Sequence, residues 1–179
     1  MMEIKEMKIA GVFIISSNIS KDDRGSFYKT YHYEIFQNHG LNNIFKESYY
    51  SISKKNVIRG MHFQVPPFDH DKLVYVPRGS IIDVVLDIRK ESNTYGEFFE
   101  IELSGENKKV IYIPRGCAHG FKALEDESLV IYMQNTIYNE EYDKGIRYNS
   151  FGYNWNCQNP ILSTRDESFI TIDKFESPF

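Results

Sequence analysis

Polar and apolar positions alternate along this chain in short runs, most of them closed by glycine, proline, asparagine or aspartate. Alternation with a period of two sends successive side chains to opposite faces of a strand, so the pattern predicts many short strands joined by turns. Residues 73–76 read as a strand ended by the turn Pro77-Arg78-Gly79-Ser80. Residues 81–88 form a longer apolar run broken only by Asp83 and Asp87, the signature of a strand buried on both sides. A turn over 92–96 leads into 98–103, where phenylalanine and isoleucine alternate with glutamate. Gly105-Glu106-Asn107 turns again before 110–113, which Pro114 and Gly116 stop, and runs at 121–124 and 129–133 complete the series. Upstream, 7–16 reads as an edge strand, 22–27 (D-D-R-G-S-F) as a turn cluster, and 46–53 as a weakly alternating stretch before the turn Lys54-Lys55-Asn56. Residues 28–39 read as a short helix carrying Tyr31, Ile35 and Phe36, and the tail from Tyr138, which holds Trp155, as loops packed over the strands. Together these features predict an all-β sandwich or jelly roll with one or two short helices, in a single domain over 1–179.

Composition narrows the setting. A chain of 179 residues can bury a sizeable core without a disulfide or metal staple. A net charge of −4 offers no basic surface for nucleic acid. No window has the apolar length of a membrane span, and the first residues, M-M-E-I-K-E-M-K, lack the apolar core of a signal peptide. Cys117 and Cys157 do not form a C-x-x-C pair, so the expected location is cytoplasmic, with reduced thiols.

Candidate chemistry concentrates at 57–64, V-I-R-G-M-H-F-Q. His62, between Met61 and Phe63, is expected to be partly desolvated and so neutral and proton-accepting near pH 7. Arg59, three residues earlier, suits bidentate binding of an anion. The same residues also describe a core histidine beside a surface arginine, and on their own they do not decide between the two. Lys72 offers a cation for developing negative charge, and Tyr132, inside L-V-I-Y-M, a proton donor, although a strand tyrosine more often belongs to the core. His119, between Ala118 and Gly120, has either room for a ligand or a place in a glycine turn. The histidines are His32, His39, His62, His70 and His119, with no H-x-H pair, so a metal on His62, His70 and His119 lacks the usual ligand spacing. There is no G-x-S-x-G elbow, and Cys117 follows no glycine-rich phosphate loop. Proton transfer on a charged small molecule is the chemistry these residues favour.

Several segments then combine: R-G-M-H-F-Q at 59–64, K-L-V at 72–74, D-V-V-L-D-I-R-K-E-S at 83–92 and T-Y-G at 94–96. S-G-E-N-K at 104–108, I-P-R-G-C-A-H-G-F at 113–121 and L-S-T-R-D at 162–166 follow in order. With them, from 22–27 to Asp166, the chain resembles the dTDP-4-dehydrorhamnose 3,5-epimerase family. The resemblance implies a cupin jelly roll and a homodimer whose N-terminal strands cross to the neighbouring subunit. It implies no metal or organic cofactor. The implied substrate is a nucleotide-linked 4-keto-6-deoxyhexose epimerised at C3, C5 or both, in the supply of deoxysugars for surface polysaccharide. By position, His62 matches the family's base, Asp166 the carboxylate that orients it, Lys72 the enolate-stabilising lysine and Tyr132 the acid. Arg59, Arg24, His119, Phe27, Lys29, Glu47, Tyr138 and Arg165 match substrate-binding positions.

Departures from the family pattern leave the nucleotide open. Many dTDP-specific members read F-x-Q-x-N-x-S where this chain reads Phe45-Lys46-Glu47-Ser48-Tyr49-Tyr50-Ser51, and Lys29 replaces an acidic residue. Glu47, Tyr49 and Lys29 pair differently with a base, so GDP and CDP stand beside dTDP as alternatives. A sibling enzyme moving the ketone between C3 and C4 is opposed by the presence of both His62–Asp166 and Tyr132. A metal-dependent cupin is opposed by the missing H-x-H, and a non-catalytic binder by the intact acid–base set.

Overall fold

The computed structural model describes residues 2–179, and the alternating runs fold as strands. Met2–Glu6 (β1) and Phe13–Ser17 (β2) form a hairpin in which Glu6 faces Phe13. The strand expected over 7–16 is therefore interrupted: 7–12 is the connection, closed by Met7 N donating to Val12 O at 2.8 Å. Gly11 turns it with a φ of +84°, a conformation that disfavours side chains with a Cβ. Ile9 and Val12 are buried because this connection folds back onto the core, and their burial is what makes them read as strand.

Ser20–Asp22 (β3) and Gly25–Phe27 (β4) form a small exposed hairpin, with Asp23 and Arg24 at its tip, where a simple turn was expected. Helix α1 covers only Tyr33–Asn38, not 28–39, because His32 is extended (φ −148°, ψ 120°) and helical geometry begins after it. Phe36 anchors α1 in an edge-to-face cluster with Tyr31, Phe45 and Tyr112. Tyr31 contributes to that packing rather than to a helical face.

Glu47–Ser53 (β5), Ile58–Gln64 (β6), Lys72–Arg78 (β7), Ser80–Asp87 (β8), Phe98–Ser104 (β9) and Val110–Ile113 (β10) follow in the expected order. Pro77 lies within β7, leaving Gly79 to make the turn. Cys117–Ala123 (β11) begins before the expected 121–124, because the turn is complete at Gly116; His119 and Gly120 are thus mid-strand residues, not turn residues. Ser128–Gln134 (β12) follows. The tail is more than loops: Asp143–Gly145 (β13) pairs with β6, and Thr164–Ser168 forms α2.

Among the described residues the main sheets have the antiparallel orders β1-β2-β10-β7-β12-β5 and β13-β6-β11-β8-β9. They enclose a core that includes Val74, Ile111, Phe121 and Val130, the arrangement of a cupin jelly roll. Strand β8 is buried on both faces, as its composition requires. Ile81 and Val85 point into this core, while Val84, Leu86 and Ile88 lie under Phe151, Trp155 and other tail residues. That second apolar layer fastens the tail, and with it α2, to the outside of the sheet.

Strands β6 and β11 approach closely at their glycines. A Cβ on Gly120 would stand 2.7 Å from Met61 Sδ and 2.8 Å from Arg59 O; one on Gly60 would stand 2.5 Å from Gly120 Cα. Their pairing also shifts register between His119 and Phe121. Regular alternation would send Arg59 and His62 to opposite faces, yet both line one cavity, as expected where a bulge lets a strand slip by one residue.

Candidate active site

The cavity, of about 310 Å³, opens between the sheets. One sheet contributes Arg59, His62 and Gln64 from β6 and His119 and Phe121 from β11. The other contributes Tyr49 and Ser51 from β5, Lys72 from β7, and Tyr132 and Gln134 from β12. His70 and the tail residues Tyr138, Asp143 and Arg165 complete the wall.

His62 is coupled to the tail. Its Nε2 lies 2.9 Å from Asp166 Oδ1, and Asp166 Oδ2 accepts from Gly60 N at 3.1 Å. Ser163 caps α2, its Oγ accepting from Asp166 N, so the short helix holds the carboxylate in place. Burial works to raise the Asp166 pKa, but the His62 hydrogen bond and charge, with help from Gly60 and Ser163, bring it below the usual carboxylate range. Burial lowers the His62 pKa despite the opposing pull of Asp166, so the imidazole is neutral at pH 7. Against an ionised Asp166, Nε2 carries the proton and donates it, which leaves the Nδ1 lone pair as the basic site. Phe169 packs edge-on against the imidazole (centroids 5.6 Å, 80°), passing over Gly145, where a Cβ would stand 2.3 Å from its ring.

Lys72 Nζ donates to His62 O at 3.4 Å. Burial pulls its pKa down to about 8, against the favourable charges of Asp143 and Asp83, leaving it mostly charged at pH 7. A second carboxylate–imidazole pair stands in the same sheet as His62: His119 Nε2 and Asp83 Oδ2 are 2.7 Å apart, both groups buried. Asp83 Oδ1 is buried without a hydrogen-bond partner among the described residues. Tyr132 comes from the opposite sheet. Its hydroxyl lies 3.0 Å from Ser51 Oγ, and burial raises its pKa, so it is a protonated phenol at neutral pH. His70 is held neutral: burial, then the Lys72 charge, takes its pKa down to about 3.

The expected site residues fall into three groups. His62, Lys72, Tyr132, Arg59, His119, Tyr138 and Arg165 line the cavity, with Asp166 directly behind His62. Glu47 is not in the lining; its Oε2 accepts from Gln134 Nε2 (2.8 Å) and Tyr138 N (2.6 Å), which fixes the rim. Arg24, Phe27 and Lys29 lie outside the cavity, on or just after the exposed β3–β4 hairpin, where Arg24 pairs with Asp22 at 2.5 Å. The sequence reading did not assign Asp83, Ser51, Gln64 or Asp143. Asp83 carried a usable signal, since a carboxylate in a doubly buried strand requires a partner. Among the described residues no trio of His, Cys, Asp or Glu is grouped to hold a metal ion.

Comparison with known proteins points one way. A family profile described as dTDP-4-dehydrorhamnose 3,5-epimerase matches residues 6–174. The dTDP-4-dehydrorhamnose 3,5-epimerase of Shigella flexneri is 36% identical over 97% of this chain and 99% of its own length. That of Methanothermobacter thermautotrophicus is 41% identical over 89% of this chain and 88% of its own. A crystal structure of the dTDP-6-deoxy-D-glucose-3,5-epimerase of Legionella pneumophila, in complex with dTDP-4-keto-L-rhamnose, superposes with a TM-score of 0.93. It is 32% identical, and the match covers 98% of this chain and 95% of that one.

Proposed function

Since the chain belongs to the dTDP-4-dehydrorhamnose 3,5-epimerase family, we propose that this cavity inverts carbon centres beside the ketone of a dTDP-linked 4-keto-6-deoxyhexose. The protein is an epimerase, and its substrate class is the nucleotide sugar. The observation that carries the mechanism is the placement of His62, backed by Asp166 of α2, and of Tyr132 on opposite sheets, both facing one cavity that also holds Lys72.

The ketone acidifies the C–H bonds at C3 and C5. His62 Nδ1 takes one of these protons; the C–H electron pair becomes the C=C bond of an enolate, and the carbonyl pair moves onto O4. A preorganised cation facing that oxygen stabilises the charge, the role of Lys72. Asp166 holds the imidazole's other nitrogen and stabilises the imidazolium that forms. Tyr132 then delivers its phenolic proton to the opposite face of the carbon, re-forming C–H and the ketone with inverted configuration. Its phenolate regains a proton from solvent as His62 releases one. A phenol raised above its ordinary value donates poorly to water but readily to an enolate carbon. No step in this route calls for a metal or organic cofactor.

The dTDP reading is favoured over GDP or CDP. The relatives are dTDP-sugar enzymes by name, and Glu47, whose departure from the family pattern opened the question, is engaged with Gln134 and Tyr138 in the wall. Incubation with dTDP-4-keto-6-deoxyglucose in deuterated water is expected to place deuterium at C3, at C5, or at both, in inverted product. Absence of exchange with this substrate, alongside exchange with a GDP- or CDP-linked one, would overturn the nucleotide assignment; absence with all of them would overturn the mechanism.

The homodimer is part of the same reading. Phe27 is 69% exposed on the hairpin that carries Arg24, and neither lines this chain's own cavity, as befits groups that complete a neighbour's site. Sedimentation is expected to give twice the chain mass, and a monomer at micromolar concentration would remove this element. Among the described residues no helix is long and apolar enough to cross a membrane, and Cys117 and Cys157 are free. A cytoplasmic setting, in the supply of deoxysugars for surface polysaccharide, completes the proposal.

A further inference from the structure

We propose that Tyr49 is a positioning residue for Tyr132, committing the enolate to protonation on the inverting face; this rests on the reading of Tyr132 as the acid. The two tyrosines are direct cross-strand partners of β5 and β12. Their rings lie nearly parallel, 18° apart with centroids at 4.9 Å, a stacked pair. The Tyr49 hydroxyl donates to Gln134 Oε1 at 3.3 Å. Gln134 Nε2 in turn donates to Glu47 Oε2, the oxygen that also accepts from Tyr138 N. The plate covering the acid is thereby tied to the next same-face residue of β12 and to the cavity rim.

Other contacts constrain the remaining sides of Tyr132. Ser51 Oγ holds its hydroxyl at 3.0 Å, and the His119 ring meets it edge-on (6.2 Å, 68°). His119 is itself held by Asp83, so that side is rigid. Tyr49 lines the cavity from β5, the edge strand of its sheet, and at 40% exposed it is the part of this enclosure open to solvent. Without its ring, Tyr132 gains freedom to swing and water gains access beside it. Either change separates proton removal from inversion. The base still forms the enolate, but once the proton on His62 has exchanged with solvent a solvent hydrogen is returned on the original face, and the starting configuration reappears labelled.

The test is the ratio of exchange to inversion in deuterated buffer with dTDP-4-keto-6-deoxyglucose, counting deuterium in recovered substrate against deuterium in inverted product. The ratio is internal to each sample, so a lowered folded fraction cancels. Tyr49→Leu and Tyr49→Thr, both strand-compatible without the ring, are expected to raise it by roughly fivefold or more, with the loss in inversion falling on kcat rather than KM. Tyr49→Phe keeps the stack and is expected to restore a ratio near that of the parent. An unchanged ratio in both ring-less variants overturns the proposal, as does an equal fall in exchange and inversion. Tyr132→Phe separates the two levels of inference. If it abolishes inversion while exchange persists, the acid is correctly assigned and Tyr49 is judged on its own variants; if inversion survives, the acid assignment itself fails.

Discussion

His62→Asn is expected to remove solvent exchange and inversion together, each by about 10³-fold, within the range by which a positioned base contributes to catalysis. Asparagine is smaller than the imidazole and its amide stops near the position of Nδ1, so Asp166 loses the Nε2 donor but keeps Gly60 N. What asparagine lacks is the lone pair of Nδ1. The simultaneous loss distinguishes the base from the acid, because removing the acid leaves enolate formation intact. Deuterium incorporation followed by mass spectrometry, with thermal unfolding to verify folding, is the measurement. Exchange persisting at more than a tenth of the parent rate would assign proton removal to another group.

Lys72→Met is expected to lower kcat/KM by about 10²- to 10³-fold, the scale on which loss of a preorganised oxyanion partner is felt. It also has a pH signature. In the parent, kcat/KM should fall on the acid side as His62 becomes protonated, below the ordinary histidine value of 6.5 because burial lowers its pKa. On the alkaline side it should fall as Lys72 loses its proton near pH 8. The methionine variant should lack the alkaline limb, and Lys72→Arg should move it beyond the measurable range, since a guanidinium stays charged. An alkaline limb unchanged in the methionine variant would exclude Lys72 as its source. Stability should not fall with activity. A lysine whose folded pKa lies below its ordinary 10.5 disfavours folding in full below about pH 8, and this penalty fades as pH rises from there to 10.5. Replacing the buried ammonium by a thioether removes the penalty.

The strands of the barrel were legible because two-residue alternation is local and a two-sided sandwich imposes it run after run. Misreadings arose where burial had another origin. Ile9 and Val12 are apolar because a hairpin connection folds onto the core, and Tyr31 because it packs against Phe36 rather than joining its helix. At the site, His62, Lys72 and Tyr132 stood out by residue type and place, and the family resemblance supplied Asp166 as the partner of His62; the pairing of Asp83 with His119 was not foreseen. Asp166 meets His62 across 104 positions, and Asp83 meets His119 across 36. No periodicity encodes such pairings. Tyr49 drew notice as a departure near the nucleotide, whereas its main contact in the fold is with the acid, a consequence of strand register that pattern alone does not supply.

The carboxylate behind the base belongs to neither wall of the cavity. It rides on α2, in a tail fastened to the outer face of the sheet by Phe151, Trp155 and their neighbours. During synthesis, strands β1 to β12 leave the ribosome before the segment that tunes His62. A molecule with its barrel formed and its tail undocked would have nearly the full strand content and an untethered base. Turnover, rather than strand content, is then the sensitive gauge of whether the last part of the chain has found its place.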